Sequence, residues 1–418
     1  MKTPVPDYLQ HVLHSCQAND AGALADYIPE LAQANPNYLA LALATIDGNL
    51  YTVGDCEVEF TIQSMSKPFA YALALQQLGL DRVAQKVGVE PSGEAFNQIS
   101  LDPDAHHPKN PMINSGAMTV HALLGEGGAE QIRALLSELA ERELVFDEKV
   151  YQSERQTAFR NLSIAYMLRT FGVIEQDPQQ VVEGYIRQCA ILVTVQDLAK
   201  MASVLANGGV QASSGKRIFS AAVVRQVLSV MLSCGMYDAA GDWLSHVGIP
   251  AKSGVAGGVL GALPGQVGLA AFSPKLDEHG NSVRAMAMFE RLSQDMGLHV
   301  MQGTPSAQTI LQSRQVLEEH NTVVYELRGV LQFTESEMLL RHMQQEPPEQ
   351  HCILLDLTPL SAVHDVGARM LIEGVSRLMQ DGHQVWILDS ENILANSSVA
   401  DHQAILNVSL EHYLQSST

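Results

Sequence analysis

Two serine–lysine pairs with the spacing Ser-x-x-Lys stand in this chain, Ser64-Met65-Ser66-Lys67 and Ser213-Ser214-Gly215-Lys216. A serine hydroxyl attacks a carbonyl only when a base takes its proton, and a lysine becomes that base once burial brings its pKa toward neutrality. Three residues apart on a helix, the two side chains share a face. Ser64 falls where the apolar run EVEFTI gives way to a helical pattern, SMSKPFAYALALQQLG. A helix N-terminus there would favour negative charge developing nearby, although a serine at such a place can simply cap the helix. Ser213 lies in QASSGKR, a Gly-rich stretch that reads as a loop and lends its pair no such setting.

A third element is Lys252-Ser253-Gly254, followed by Val-Ala-Gly-Gly on an expected strand. Ser-x-x-Lys helices and Lys-Ser/Thr-Gly strands occur together in the penicillin-binding and class A β-lactamase group. There the strand lies beside the nucleophile and presents a backbone N–H to the acyl oxygen. A strand edge with glycines at a bend would read the same way.

Around these residues, positions 1–35 read as helical. YLALALATIDGNLYTVGD shows two apolar runs around Asp47-Gly48, a hairpin signal. The Pro in the first turn and Gly79 at the end bound a helix of about four turns after Ser64. A mainly helical stretch runs from roughly 80 to 245, broken by DPDAHHPKNPMINSG, before strands return in GIPAKSGVAGGVLGALPGQVGLAAFSP and SVRAMAMFERL. Strands at both ends with helices between predict an α+β domain whose sheet joins its two termini. Residues 302–321 read as a polar helical linker. Beyond it VVYELRGVLQF, HCILLDLT and QVWILDS alternate with helical segments, which predicts a parallel or mixed sheet.

The first domain resembles the bacterial and mitochondrial glutaminase family, which shares the β-lactamase-like fold. The matching runs, in the family's order, are ADYIPELA, FTIQSMSKPFAYALAL, NPMINSGAM, YQSERQTAFRNLSIAYMLR, YIRQCAILVT, LANGG, GMYDAAGDWLSHVGIPAKSGVAGG and GNSV. The resemblance implies hydrolysis of L-glutamine with Ser64 as nucleophile, Lys67 as its base, Tyr237 as a proton relay to the leaving ammonia, and the N–H groups of Ser64 and Val255 as the oxyanion hole. It further implies that Tyr27, Gln63, Asn114, Glu154, Asn161, Tyr185 and Val255 hold the amino and carboxylate groups of the substrate, with no cofactor and no metal, and that the protein is a homo-oligomer, dimer or tetramer.

The residue types suit those roles. Glu154 offers a carboxylate to an α-ammonium, and Asn161, seven residues on, would share its helix face. Amides and phenols can hold an α-carboxylate without a cation that would disturb Lys67. Each also has an ordinary use: Glu154 as a solvated helix carboxylate, Asn114 as a turn residue near Gly116, the tyrosines as amphipathic core members. His106 and His107 with Asp104 lack helical metal-ligand spacing, and Cys189 reads as packing.

Composition narrows the function classes. The chain has 418 residues, 46% hydrophobic and 17% charged, with a formal net charge of -21. That length predicts two domains, and that charge argues against nucleic acid or an anionic membrane as partner. Five scattered cysteines without a C-x-x-C suit a reducing, cytoplasmic setting. No signal peptide or membrane-spanning run is read.

The segment ILLDLTPLSAVHDVGARMLIEGVSRLMQDGHQVWIL resembles STAS domains, the anti-sigma-factor-antagonist and sulfate-transporter module. The resemblance implies a docking or dimerisation module; Asp365 stands where antagonist members carry a phosphorylatable serine, a departure that argues against phospho-switching. Asp365 would cap the helix or mimic a phosphorylated state. The expected fold class is therefore α+β: a β-lactamase/penicillin-binding-like glutaminase domain over 1–308, a linker over 309–321 and a small α/β STAS-like domain over 322–418. Two other readings stand beside glutaminase: a penicillin-recognising serine hydrolase of the same fold, and a non-catalytic glutamine sensor.

Overall fold

A computed structural model of the chain describes residues 4–93, 97–102, 106–302, 310–390 and 393–394. The chain divides into two compact units, Met1–Gln302 and Gly303–Thr418. The strands of the first unit are β1 (Ala40–Thr45), β2 (Leu50–Gly54), β3 (Phe60–Thr61), β4 (Leu192–Val193), β5 (Ala251–Ser253), β6 (Gly258–Leu263) and β7 (Val267–Phe272). Its helices are α1 (Val5–Gln17), α2 (Pro29–Ala32), α3 (Lys67–Leu78), α4 (Leu80–Ala84), α5 (Asn114–Leu123), α6 (Gly128–Ala140) and α7 (Glu148–Gln156). They continue with α8 (Phe159–Thr170), α9 (Pro178–Cys189), α10 (Val195–Ala206), α11 (Ala221–Cys234), α12 (Ala240–His246) and α13 (Val283–Met296).

Five strands form an antiparallel sheet in the order β2-β1-β7-β6-β5, and β3 pairs with β4 apart from it. The hairpin forms where Asp47-Gly48 predicts it, with Gly48 at a left-handed φ of 95°. β1 also pairs with β7, Ala40 opposite Phe272, so early and late segments of the unit meet in one sheet. Alternation along β1 sends Ala40, Ala42 and Ala44 into one core and Leu41 and Leu43 into another. On the alanine side α10 comes so near that a Cβ on Gly268 would stand 2.1 Å from the Ser203 nitrogen. The leucine side shares its core with α1 and α13 through Leu9, Val12, Met288 and Phe289. Local sequence sets several boundaries. Asp147, Asp177 and Ser282 cap α7, α9 and α13 with side-chain oxygens, and Thr194 with Asp197 forms a capping box on α10.

The second unit contains β8 (Leu311–Leu317), β9 (Thr322–Leu327), β10 (Gly329–Leu331), α14 (Phe333–Gln345), β11 (Cys352–Asp356), β12 (Leu360–Val363), α15 (Asp365–Gln380) and β13 (Gln384–Leu388). Its main sheet runs β13-β11-β9-β8, parallel except for the antiparallel β8–β9 pair. The mixed sheet expected from alternating strands and helices is present.

The structure corrects four expectations. SVRAMAMFERL is helical, not a strand: Ser282 caps it, and Ala285, Met288, Phe289 and Leu292 recur at helical spacing along its buried face. Residues 1–35 hold two separate helices, with 18–28 between them outside any helix. Within the expected helical linker, Leu311–Leu317 is a strand at the edge of the second sheet. An edge strand with one wet face needs few apolar residues, so LQSRQVL carried little period-2 signal. Asp365 is the first residue of α15 rather than its cap, a position held by His364, so its charge acts on the helix dipole.

Candidate active site

Ser64 sits in a 3-10 turn, Gln63–Ser66, that leads from β3 into α3. Gln63 has a φ of 49°, a left-handed conformation that costs a residue with a Cβ about 1–3 kcal/mol. Ser64 is not the cap of α3. That position belongs to Ser66, whose hydroxyl donates instead to the Gln63 carbonyl at 2.8 Å.

Lys67 opens α3 and is 1% exposed. Its Nζ donates to the Met112 carbonyl at 3.1 Å and to Asn114 Oδ1 at 2.8 Å, both neutral acceptors. Burial lowers its pKa to about 8, opposed by the charges of Cys189 and Glu154. Asn114, the first residue of α5, gathers further groups. Its Oδ1 accepts from the Tyr185 hydroxyl of α9 at 3.2 Å, and its Nδ2 donates to Asn161 Oδ1 of α8 at 3.0 Å.

Asn114, Asn161 and Tyr185 line a cavity of about 240 Å³ together with Ser64 and Gln63. Tyr27, Glu154 and Val255 complete the set of expected residues on its wall, with Tyr27 half exposed. Val255 belongs to the turn between β5 and β6, where Gly257 takes a φ of 102°. Burial raises the Glu154 carboxyl to about 7, opposed by a hydrogen bond from Gln63 and by the charge of Lys67. Its Oε2 is buried with no hydrogen-bond partner among the described residues. A buried carboxylate oxygen in that state is costly, and a cationic donor would relieve it.

Tyr237 does not line the cavity. It stands against Ser64, with its hydroxyl in hydrogen-bond contact with the serine and donating to the Ser253 carbonyl at 3.1 Å. It too has a left-handed φ, 55°, and burial pushes its phenol well up. Behind it, Lys252 Nζ lies 3.9 Å from the centre of the Tyr237 ring and donates to the same Ser253 carbonyl at 2.8 Å. Burial, and then the charge of Lys67, hold the Lys252 ammonium well below its usual range. The sequence placed Lys252 on a strand beside the nucleophile but assigned no role to its side chain.

Glu154 and Asn161 do not share one helix. The Thr157 hydroxyl bonds back to the Ser153 and Glu154 carbonyls where α7 ends, and α8 begins at Phe159. The two side chains meet at the cavity because two helices converge, not because seven residues span two turns. Sequence reasoning also missed Asn97, Thr157, Ala158 and Arg160 on the wall. Arg160, a cation where only neutral donors were expected, is held by the Asn97 carbonyl at 2.6 Å. Its neighbour Asn161 was the one signal that could have found it.

Other candidates fall away from the site. His107 Nδ1 lies 3.0 Å from the Pro108 carbonyl, His106 stacks on Phe171, and Asp104 lies outside the described residues. Among the described residues no cluster of His, Cys, Asp or Glu could hold a metal ion, and no helix is long and apolar enough to cross a membrane. Cys189 is buried, its thiol pushed up to about 12 by that burial.

Residues 22–301 match the family described as Glutaminase. A curated glutaminase of Corynebacterium glutamicum is 48% identical over 404 residues, 95% of this chain and 97% of its own length. The crystal structure of a protein called Mglu matches with a TM-score of 0.87 at 46% identity, covering 94% of this chain and 100% of that one. A structure described as "Probable glutaminase from Bacillus subtilis complexed with 6-diazo-5-oxo-L-norleucine" matches with a TM-score of 0.63 at 31% identity, covering 71% of this chain and 94% of that one. This chain belongs to the glutaminase family, amidohydrolases that convert glutamine to glutamate.

Proposed function

We propose that the protein hydrolyses the side-chain amide of L-glutamine through an acyl-enzyme on Ser64. The reading is carried by Lys67, a lysine wholly inside the protein, bonded to neutral acceptors and three residues from a serine on the cavity wall. With a pKa of about 8, part of it is free amine near neutral pH. Ser64 Oγ attacks the carboxamide carbon as its proton passes to Lys67, and the carbonyl electron pair moves onto oxygen. The N–H groups of Ser64 and Val255 receive that oxyanion; the Val255 N–H makes no hydrogen bond among the described residues. Collapse breaks the C–N bond, and ammonia leaves with a proton relayed through Tyr237. Water then attacks the ester, releasing glutamate and restoring Ser64.

Glu154 receives the α-ammonium at its unpartnered oxygen. Tyr27, Gln63, Asn114, Asn161, Tyr185 and Val255 complete the hold on the amino-acid end. We read the first unit, Met1–Gln302, as a β-lactamase-like catalytic domain and the second, Gly303–Thr418, as a STAS-like docking or dimerisation module without chemistry of its own. Five free cysteines among the described residues suit a cytoplasmic protein, and the family resemblance suits a homo-oligomer.

The test is ammonia release from L-glutamine by wild type and Ser64→Ala, with L-asparagine and a chromogenic β-lactam in parallel. Glutamine turnover that vanishes in the variant establishes the activity and the nucleophile. Cleavage of the β-lactam instead would select the penicillin-recognising reading, and no turnover at all the sensor reading. Incubation with 6-diazo-5-oxo-L-norleucine, followed by peptide mass spectrometry, should place the adduct on Ser64.

A further inference from the structure

The strained residue before the nucleophile is held from behind by three buried side chains that do not line the cavity. Ser66 Oγ donates to the Gln63 carbonyl at 2.8 Å, Gln188 Nε2 donates to Ser66 Oγ at 2.9 Å, and Gln188 Oε1 lies 2.9 Å from His121 Nδ1. Ser66 and Gln188 are 0% exposed and His121 5%. The backbone carbonyl at one end sets the polarity of the whole chain. A carbonyl can only accept, so the Ser66 hydroxyl donates to it and must itself accept from the Gln188 amide nitrogen. That turns Oε1 toward the imidazole, and Nδ1 must carry the proton. Burial favours the neutral imidazole there, which donates from Nδ1.

The seat of His121 is also built. A Cβ on Gly184 of α9 would stand 2.3 Å from His121 Nε2, and one on Gly128 of α6 would stand 3.3 Å away, so two missing side chains make room for the ring. On α5, Asn114 and His121 lie seven residues apart; on α9, Tyr185 and Gln188 lie three apart. Each helix therefore gives one residue to the Lys67 cluster and another to this chain.

We propose that His121, Gln188 and Ser66 are positioning residues: a directional hydrogen-bond relay that locks the Gln63 carbonyl and with it the turn presenting Ser64, while registering α5 against α9. This rests on the reading of Ser64 as nucleophile. None of the three touches the substrate, so their loss acts on kcat through geometry.

Glutamine turnover is measured in His121→Leu, His121→Asn, Ser66→Ala and the Ser66→Ala/His121→Leu double variant. His121→Leu is expected to lower kcat ~10–100-fold with KM held within about threefold, the scale on which misplacing a reacting group by about 1 Å is felt. An asparagine amide N–H falls close to the place of Nδ1–H, so His121→Asn should restore kcat to within about threefold of wild type. Ser66→Ala should cost as much as His121→Leu, and the double variant no more than Ser66→Ala alone, because links of one chain are not additive. Multiplicative losses, an effect confined to KM, a wild-type kcat in Ser66→Ala, or a His121→Asn as slow as His121→Leu would each overturn the relay. If His121→Leu does not fold, Gln188→Met removes the same link at similar volume and takes its place. Turnover that survives Ser64→Ala would sink the nucleophile reading itself, a separate result from the other four variants.

Discussion

Ser64-x-x-Lys67 and Ser213-x-x-Lys216 are the same motif in two settings. Lys67 is enclosed among neutral acceptors, and Ser64 stands on a cavity wall behind a residue in a strained conformation. Ser213 and Lys216 lie in an exposed turn, where Gly215 takes a φ of 67°. The Ser213 hydroxyl bonds to Glu141, and Lys216 pairs with Glu138 with 62% of its side chain in water. The spacing along the chain is the same in both. Only desolvation makes the amine a base, and desolvation needs packed neighbours from several helices. The same principle separates buried Lys252, set against Tyr237, from an ordinary strand lysine.

The comparison is broken most directly at its active member. Ser64→Ala and Lys67→Ala should each cut glutamine hydrolysis by ~10³-fold or more while thermal unfolding stays cooperative; substantial turnover in either would mean that the buried pair is not the nucleophile and base. Next in size is Glu154→Gln, which removes a charge-assisted bond worth about 1.5–3 kcal/mol and should raise KM ~10–100-fold with a smaller change in kcat.

The protonation states sharpen it further. Lys67 must be neutral and Glu154 ionised in the free enzyme, so kcat/KM should climb from pH 6 to pH 9 through steps near their values of about 8 and about 7. For stability, the folded pKa of Lys67 lies below its unfolded value near 10.5. Between those two values the unfolded chain binds the extra proton, so stability rises with pH from about 8 to about 10.5 as the cost of burying the Lys67 charge is relieved. The gain is about 3 kcal/mol at most, and Lys67→Met should lose that slope in denaturant titrations. Removing residues 309–418 should leave turnover within about threefold, since every cavity residue described belongs to the first unit; a folded but dead truncation would show that the second unit completes the site. The smallest effect belongs to the exposed motif, where Ser213→Ala or Lys216→Ala should change turnover less than twofold and stability by less than about 0.5 kcal/mol.

Much of this was legible before any coordinates. The Asp47-Gly48 hairpin, the Pro and Gly bounds of α3, the strands β5 to β7 and the mixed sheet of the second unit all follow from signals spanning a few residues. The failures have physical causes as well. In SVRAMAMFERL a dense apolar run hid a helical period that its serine cap resolves. In LQSRQVL a wet edge removed the strand period. Glu154 and Asn161 look two turns apart until Thr157 ends the helix between them.

By itself the sequence determined the chemistry on offer: a serine and a lysine at helical spacing, a carboxylate suited to an ammonium, amides and phenols around them, and the ordered runs that mark the family. Tertiary structure alone decided which of two identical motifs is buried, that Gln63 and Tyr237 hold left-handed conformations beside Ser64, and that Lys252, Arg160 and the His121–Gln188–Ser66 chain join the site. Those are consequences of desolvation and of contacts between residues far apart in the chain, from Arg160 and Asn97, 63 positions apart, to Ser66 and Gln188, 122 apart. Local patterning cannot encode them, because it senses only the neighbours along the chain.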